Sequence, residues 1–515
     1  MKLPRASGIL LHIASLPGSY GMGTLGDEAY LFADSLKKAG QSYWQILPIN
    51  PVAGATAYSP YASTSTFAGN DLFISPELLS REKWFSGPVP GNTLRDESFI
   101  DYGAVLSFKE ELLAKAFTDF FSNAGSDDLA DFDGFCREME FWLGNYALFT
   151  SLAGHFNTNN WLEWDKDISA RDPVAAQRWS GRLEKNILAC KFRQFIFFRQ
   201  WAALKKYCTG MGISLIGDIP IYVTTDSADV WAYREIFQLD GMTGLPEAVS
   251  GVPPDYFSET GQHWGNPLYN WFDETGALNE MTLDWWAMRL LHLRKTVDLI
   301  RIDHFRGFEA YWSIPAGEKT AEKGDWIQGP GIEFFKKLAA RTGKLSLIAE
   351  DLGVITPEVE KLRDGLDLPG MRILQFAFDF NNRNYYLPHN IDNRNCLLYT
   401  GTHDNNTTNG WFYGNEIDEN TRRYILEYLG SDSISDFHWQ LIRAAFRSVA
   451  SLVIVPAQDL LGFGADFRMN TPGTVKGNWV WKMKKGDLTD HHLETLRRMG
   501  EIYSRLPAHQ KDDGR

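Results

Sequence analysis

Four acidic residues close or follow short apolar runs: Asp218 ends the run 213–218, Asp303 ends 299–303, Glu350 ends 346–350, and Asp404 follows 397–403. If these runs are parallel strands of a barrel, their C-terminal ends share one rim and the four carboxylates converge there. Any one of them alone reads more readily as a helix N-cap. Four together, each behind an apolar run, do not. Like charges in one partly desolvated pocket repel each other and raise some of their pKa values. The simplest chemistry that uses such a cluster is retaining glycosyl transfer, in which one carboxylate attacks the anomeric carbon and another serves as acid and then base. Asp303 suits the nucleophile. Arg301 lies two residues earlier, on the same face of the strand, and favours the ionised carboxylate. Glu350 follows small and apolar residues, a setting that raises a carboxyl's pKa and keeps it protonated as an acid.

The elements that must position these groups follow from the same runs. Eight β-branched apolar stretches occur, at 8–12, 43–49, 213–218, 299–303, 346–350, 371–378, 397–403 and 452–458. Helical patterns lie between many of them, as at 283–296, 331–341 and 357–366. Continuous apolar strands alternating with amphipathic helices predict a parallel sheet covered on both faces. The number of runs predicts an α/β protein built as a (β/α)8 TIM barrel, with a doubly wound open sheet as the alternative. The spacing is uneven. A single catalytic barrel spanning 1–515 is expected, with a mainly helical subdomain inserted at about 64–205 and a long groove-lining insertion at about 224–290. The polar tail 509–515 reads as frayed.

Composition removes other classes. A net charge of −14 disfavours nucleic acid and anionic membranes as partners. Cys136, Cys190, Cys208 and Cys396 are scattered, which speaks against a disulfide framework or an all-cysteine zinc site and suits a reducing compartment. No run is long enough to cross a membrane, and the apolar start reads as a first strand. A cytoplasmic location is expected, with a plastid left open if a transit peptide has been removed. His292, His304 and His403 stand apart and no HExxH occurs; a dispersed His/Asp metal site is the alternative that leaves open. No Walker motif or strand-linked GxGxxG appears, and no run ends in a lysine. Neither metal nor cofactor is expected. Aromatic residues reach 14%, with 18 Trp, many of them in Gly/Pro/Asn-rich segments such as 262–267 (QHWGNP). Rings beside polar groups suit sugars, which have apolar faces and hydroxyl rims.

Several motifs, in order, resemble glycoside hydrolase family 77, the 4-α-glucanotransferases. They are SPYAS at 59–63, FAGN at 67–70, GDIPI at 217–221, GVPPDYFSETG at 251–261, WGNPLY at 264–269, RIDHFRG at 301–307, AEDLG at 349–353, THDN at 402–405 and RMNTPG at 468–473. The resemblance covers nearly the whole chain. It implies Asp303 as nucleophile, Glu350 as acid/base and Asp404 as the third acidic residue, holding sugar hydroxyls. It implies Asp218, Arg301, His304 and His403 around the central sugar, and Tyr61, Trp264 and Asn470 along the substrate. The stretch 253–261 resembles a loop that covers the groove and helps exclude water; Glu259 within it is assigned to substrate binding. The implied substrates are α-1,4-glucans and malto-oligosaccharides, with glucose as an acceptor. An α-glucan hydrolase, or a glucan-binding barrel without catalysis, are the alternative functions.

Overall fold

The structure is a computed structural model, and it describes residues 1–87, 89, 97–254 and 258–507. Eight parallel strands form the central sheet: β1 Ala6–Leu10, β2 Tyr43–Gln45, β3 Ser214–Ile219, β4 Leu299–Ile302, β5 Leu347–Ala349, β6 Gly370–Ile373, β7 Cys396–Tyr399 and β8 Leu452–Pro456. They correspond one to one with the eight apolar runs. They pair in the order β6-β7-β8-β1-β2-β3-β4-β5. Between the ends of that order the Ala349 N–H donates to the Pro369 carbonyl at 2.9 Å. The buried Asp351 carboxylate takes the Met371 N–H at 2.6 Å and the Arg363 guanidinium at 2.5 Å. These bonds close the (β/α)8 barrel at its weakest seam. Asp351, directly after Glu350, is thereby committed to structure.

The strands are buried on both faces because helices cover the outside and side chains fill the inside. Gly8 lets β1 and β2 come together: a Cβ there would sit 2.4 Å from the Tyr43 carbonyl oxygen. The helices Glu280–Thr296, Gly331–Thr342 and Pro357–Gly365 fall where the periodicity placed them. Gly331–Thr342 turns Phe334, Phe335, Leu338 and Thr342 inward, at the spacing of one helical face, and ends at Gly343 with φ 68°.

Between β2 and β3 lie the helices Pro76–Arg81, Tyr102–Asn123, Ser126–Glu138, Glu140–Phe156, Lys166–Ser169, Pro173–Arg182 and Glu184–Gly210. We propose that most of this connection, about 64–205, acts as an inserted subdomain. Its last helix runs unbroken past 205, and Phe195, Phe197 and Trp201 on it share one apolar cluster with the barrel strands. The insertion at about 224–290 is a proposal of the same kind. It supplies two strands of a second sheet that the sequence pattern did not reveal. That sheet is antiparallel, in the order Gln262–Pro267, Ala248–Val252, Ala310–Pro315, Asp325–Gln328. Its strands are short, contain Gly251, Gly265 and Pro267, and end in an edge strand whose four residues are all exposed in part. Polar–apolar alternation, the usual strand signal, is therefore weak.

The floor of the barrel is held from the other end of the chain. Arg505, fully buried, donates to the carbonyls of Phe446 (2.8 Å), Ala6 (3.0 Å), Ser451 (3.1 Å), Ser448 (3.2 Å) and Ala450 (3.0 Å). These groups surround the starts of β1 and β8, the face of a barrel that serves stability. Arg505→Met strips donors from buried carbonyls and is expected to destabilise the fold by about 2–4 kcal/mol. The check is the denaturation midpoint together with activity per folded molecule: the first falls and the second holds. An unchanged midpoint would contradict the assignment.

Candidate active site

The strand-end residues meet at the C-terminal mouth of the barrel. Arg301, on β4, is buried, and its Nη1 pairs with Asp218 Oδ2 at 2.6 Å and Asp303 Oδ1 at 3.0 Å. Its Nε faces the Met371 sulfur at 3.4 Å. Asp218, at the end of β3, also accepts the Tyr61 hydroxyl at 2.7 Å. One guanidinium thus joins two carboxylates from neighbouring strands, as the two-residue spacing of Arg301 and Asp303 required. The Asp303 side chain keeps 30% of its surface exposed, whereas that of Asp218 has none.

Glu350 is held by the chain around it. Its Oε2 accepts the His304 N–H at 2.7 Å and its Oε1 accepts the Leu352 N–H at 3.0 Å. His304 reaches that position in the left-handed region, φ 52°. A non-glycine residue there costs about 1–2 kcal/mol, a strain that recurs at functional sites. The His304 ring meets Trp264 edge-on, with centroids 4.9 Å apart. Burial and the nearby Arg306 lower its pKa to about 3, so the ring is neutral.

Asp404 forms the opposite wall. Its Oδ1 accepts Asn470 Nδ2 at 2.6 Å and its Oδ2 faces His403 Nε2 at 3.3 Å. The His403 ring stacks on Tyr61 at 5.0 Å. Burial lowers the His403 pKa, against the pull of Asp404. Two polar atoms of the cluster, His304 Nε2 and Asp218 Oδ1, are buried and have no hydrogen-bond partner among the described residues.

The electrostatics differ in one respect from the sequence reading. Burial lifts the Glu350 carboxyl to about 7, as its apolar setting implied; Arg301 and the His304 N–H oppose the rise, and Asp351 adds to it. Asp303, expected to be held ionised by Arg301, is instead pushed well above the usual carboxylate range. Burial is the main cause, Arg301 opposes it, and Asp218, Glu350 and Asp404 add to it. One guanidinium does not offset burial together with that much negative charge. Two carboxyls raised together titrate as a unit.

Of the expected site residues, Tyr61, Asp218, Arg301, Asp303, His304, Glu350, His403, Asp404, Asn470 and Trp264 join this constellation. Glu259 does not: it is exposed within the turn at 258–261. The expected covering loop 253–261 falls partly outside the described residues, at 255–257, as does the expected frayed tail. Three further residues support the site. Arg468 donates to the Asp404 carbonyl at 2.6 Å and to the Asn470 carbonyl at 2.7 Å. Trp479 lies 5.7 Å from the Tyr61 ring and 5.9 Å from His403. Tyr222 lies 6.3 Å from Trp264. Arg468 stood inside a quoted motif, and Tyr222 directly follows one. Trp479 carried no signal beyond its Gly/Asn-rich setting.

Known proteins are similar to this chain over nearly its whole length. Residues 11–489 match the family model described as 4-alpha-glucanotransferase. The 4-alpha-glucanotransferase of Synechocystis sp. is 46% identical over 98% of this chain and 99% of its own length. That of Thermus thermophilus is 43% identical over 98% of this chain and 100% of its own. The solved amylomaltase from Streptococcus agalactiae, in complex with acarbose, superposes with a TM-score of 0.92 at 37% identity, covering 98% of this chain and 100% of that one. The chain belongs to the glycoside hydrolase 77 family of 4-alpha-glucanotransferases.

Proposed function

We propose that this enzyme moves segments of α-1,4-glucan onto the 4-OH of glucose or of another glucan through a covalent intermediate on Asp303. The observation that carries the reading is the guanidinium of Arg301 shared between Asp218 and Asp303, beside a Glu350 whose carboxyl is raised to about 7. In the reacting form Asp303, paired with Arg301, carries the negative charge and Glu350 carries the proton. An Asp303 oxygen attacks the anomeric carbon. The glycosidic C–O bond breaks, and the leaving oxygen takes the Glu350 proton. The two backbone N–H groups on Glu350 stabilise the carboxylate that results. The acceptor's 4-OH then gives its proton to Glu350, its oxygen bonds to the anomeric carbon, and the Asp303 carboxylate is released.

Asp404, fixed by Asn470 and His403, and the unpartnered His304 Nε2 and Asp218 Oδ1 are placed to serve sugar hydroxyls. Tyr61 holds Asp218 and gives the His403 ring a stacking partner. Trp264, 36% exposed, offers an apolar face to a sugar ring. Glu259, exposed in the turn at 258–261, is assigned to contact bound substrate. Transfer prevails over hydrolysis when the acceptor is bound in line, because well-oriented reactants reach effective molarities of about 10⁵ M or more. No group in this scheme calls for a metal or cofactor, and no His/Cys/Asp/Glu group with metal-binding geometry occurs among the described residues. No helix among them is long and apolar enough to cross a membrane. We place the enzyme in the cytoplasm, in keeping with its four free cysteines.

Incubation with maltotriose tests the reading. Glucose together with maltotetraose and longer products is expected, with the total of reducing ends staying flat. Glucose and maltose alone, with rising reducing ends, would make the enzyme a hydrolase.

A further inference from the structure

We propose that Phe380 and Tyr424 form an outlying glucan-binding platform that selects for long chains. The proposal rests on the transferase reading and extends it beyond the catalytic residues. Phe380 lies in the connection that leaves β6 at the catalytic mouth. The residue is 57% exposed, among the more exposed large apolar residues described. Its backbone is left-handed, φ 64°. Phenylalanine has no polar side chain to ease that conformation, and an exposed ring gains little burial in return. Core packing therefore does not explain why the residue is displayed in this way.

The surroundings fix the display. Asp379 Oδ1 accepts the Asn381 N–H at 3.0 Å, and Asn381 Oδ1 accepts the Arg383 N–H at 3.0 Å. Asn390 Nδ2 donates to the carbonyls of Asn382 and Asn384, both at 2.9 Å. Asn384 in turn ties the segment back to the Phe376 carbonyl at 2.8 Å. Tyr424, from the helix Glu419–Leu429, backs the Phe380 ring at 4.9 Å with the planes 30° apart. One face of the ring is supported, and more than half of its surface faces solvent. A ring backed on one face and otherwise open to solvent suits a ligand with an apolar face, which a pyranose has.

The place of the platform argues for the occupant. Gln375, five residues before Phe380, bonds the Asn406 carbonyl at 2.8 Å, two residues after Asp404. Phe378 packs on Trp411, in the helix that follows that segment, at 6.1 Å. Five residues of chain span at most about 18 Å, so Phe380 lies within that reach of Gln375, which touches the segment following Asp404. On this proposal a long α-1,4-glucan leaving the groove meets the ring, whereas maltotriose, three sugars bound at the reacting centre, is the donor that depends on it least.

The test compares donors of different length. Phe380→Ser alters only an exposed side chain, so the fold is expected to persist. Its KM for amylose rises about three- to ten-fold, the effect of losing one aromatic contact, while kcat and KM for maltotriose disproportionation stay at the wild-type values. Phe380→Trp restores the amylose KM. An amylose KM unchanged in Phe380→Ser, or equal losses on amylose and maltotriose, would overturn the platform. Absence of maltotriose transfer in the unaltered enzyme would instead overturn the transferase reading, so the two failures are distinguishable.

Discussion

Asp303→Asn is expected to lose turnover of malto-oligosaccharides by about 10⁴-fold or more while still binding them. The amide keeps the shape of the carboxylate but is a poor nucleophile, and it removes the negative charge that stabilises a cationic sugar. The fold is expected to persist because Arg301 retains Asp218 at 2.6 Å and Asp303 is the more exposed of its two partners. Removing Asp303 also relieves Glu350 of a repelling neighbour. Binding of maltoheptaose, measured by calorimetry, stays within a few-fold of wild type. Activity retained within about 100-fold would remove Asp303 from the role of nucleophile.

Glu350→Ala is expected to be nearly as damaging, but selectively. Loss of the proton donor costs about 10²–10⁴-fold when the leaving group is a sugar oxygen. A glycosyl fluoride, whose leaving group needs little protonation, still reacts in the first step. The pH profile supplies an independent readout. The acid must carry its proton, and burial holds its pKa at about 7, so kcat/KM of the unaltered enzyme falls as pH rises through about 7. The Glu350→Ala profile with a fluoride donor lacks that descending limb. A variant that kept the limb would place the acid elsewhere in the cluster.

These expectations draw on features that differ in how well the sequence displayed them. The barrel was legible because strands buried on both faces must be apolar throughout, and eight such runs stand out in the chain. The carboxylates were legible for a related reason: in a parallel barrel each strand's last residue points to one rim, so Asp218, Asp303 and Glu350 were located by where the apolar runs stop. The ion pair of Arg301 with Asp303 followed from strand alternation. The raised Asp303 carboxyl did not follow, since it depends on how many other charges crowd one guanidinium. The left-handed turn at His304 was equally hidden, because nothing in a histidine's neighbours announces a positive φ. The second sheet, whose strand Gln262–Pro267 carries Trp264, lacks alternation because its outer strand is exposed. Trp479 reaches Tyr61 and His403 only through tertiary packing.

The central claim is that a glycosyl group is carried on Asp303. Its most direct test is to treat Glu350→Ala with α-maltotriosyl fluoride, quench, digest and locate the added mass. The account predicts a maltotriosyl adduct on the peptide containing Asp303. Consumption of the fluoride with no adduct on the protein, or an adduct on Asp218 or Asp404 instead, would contradict it.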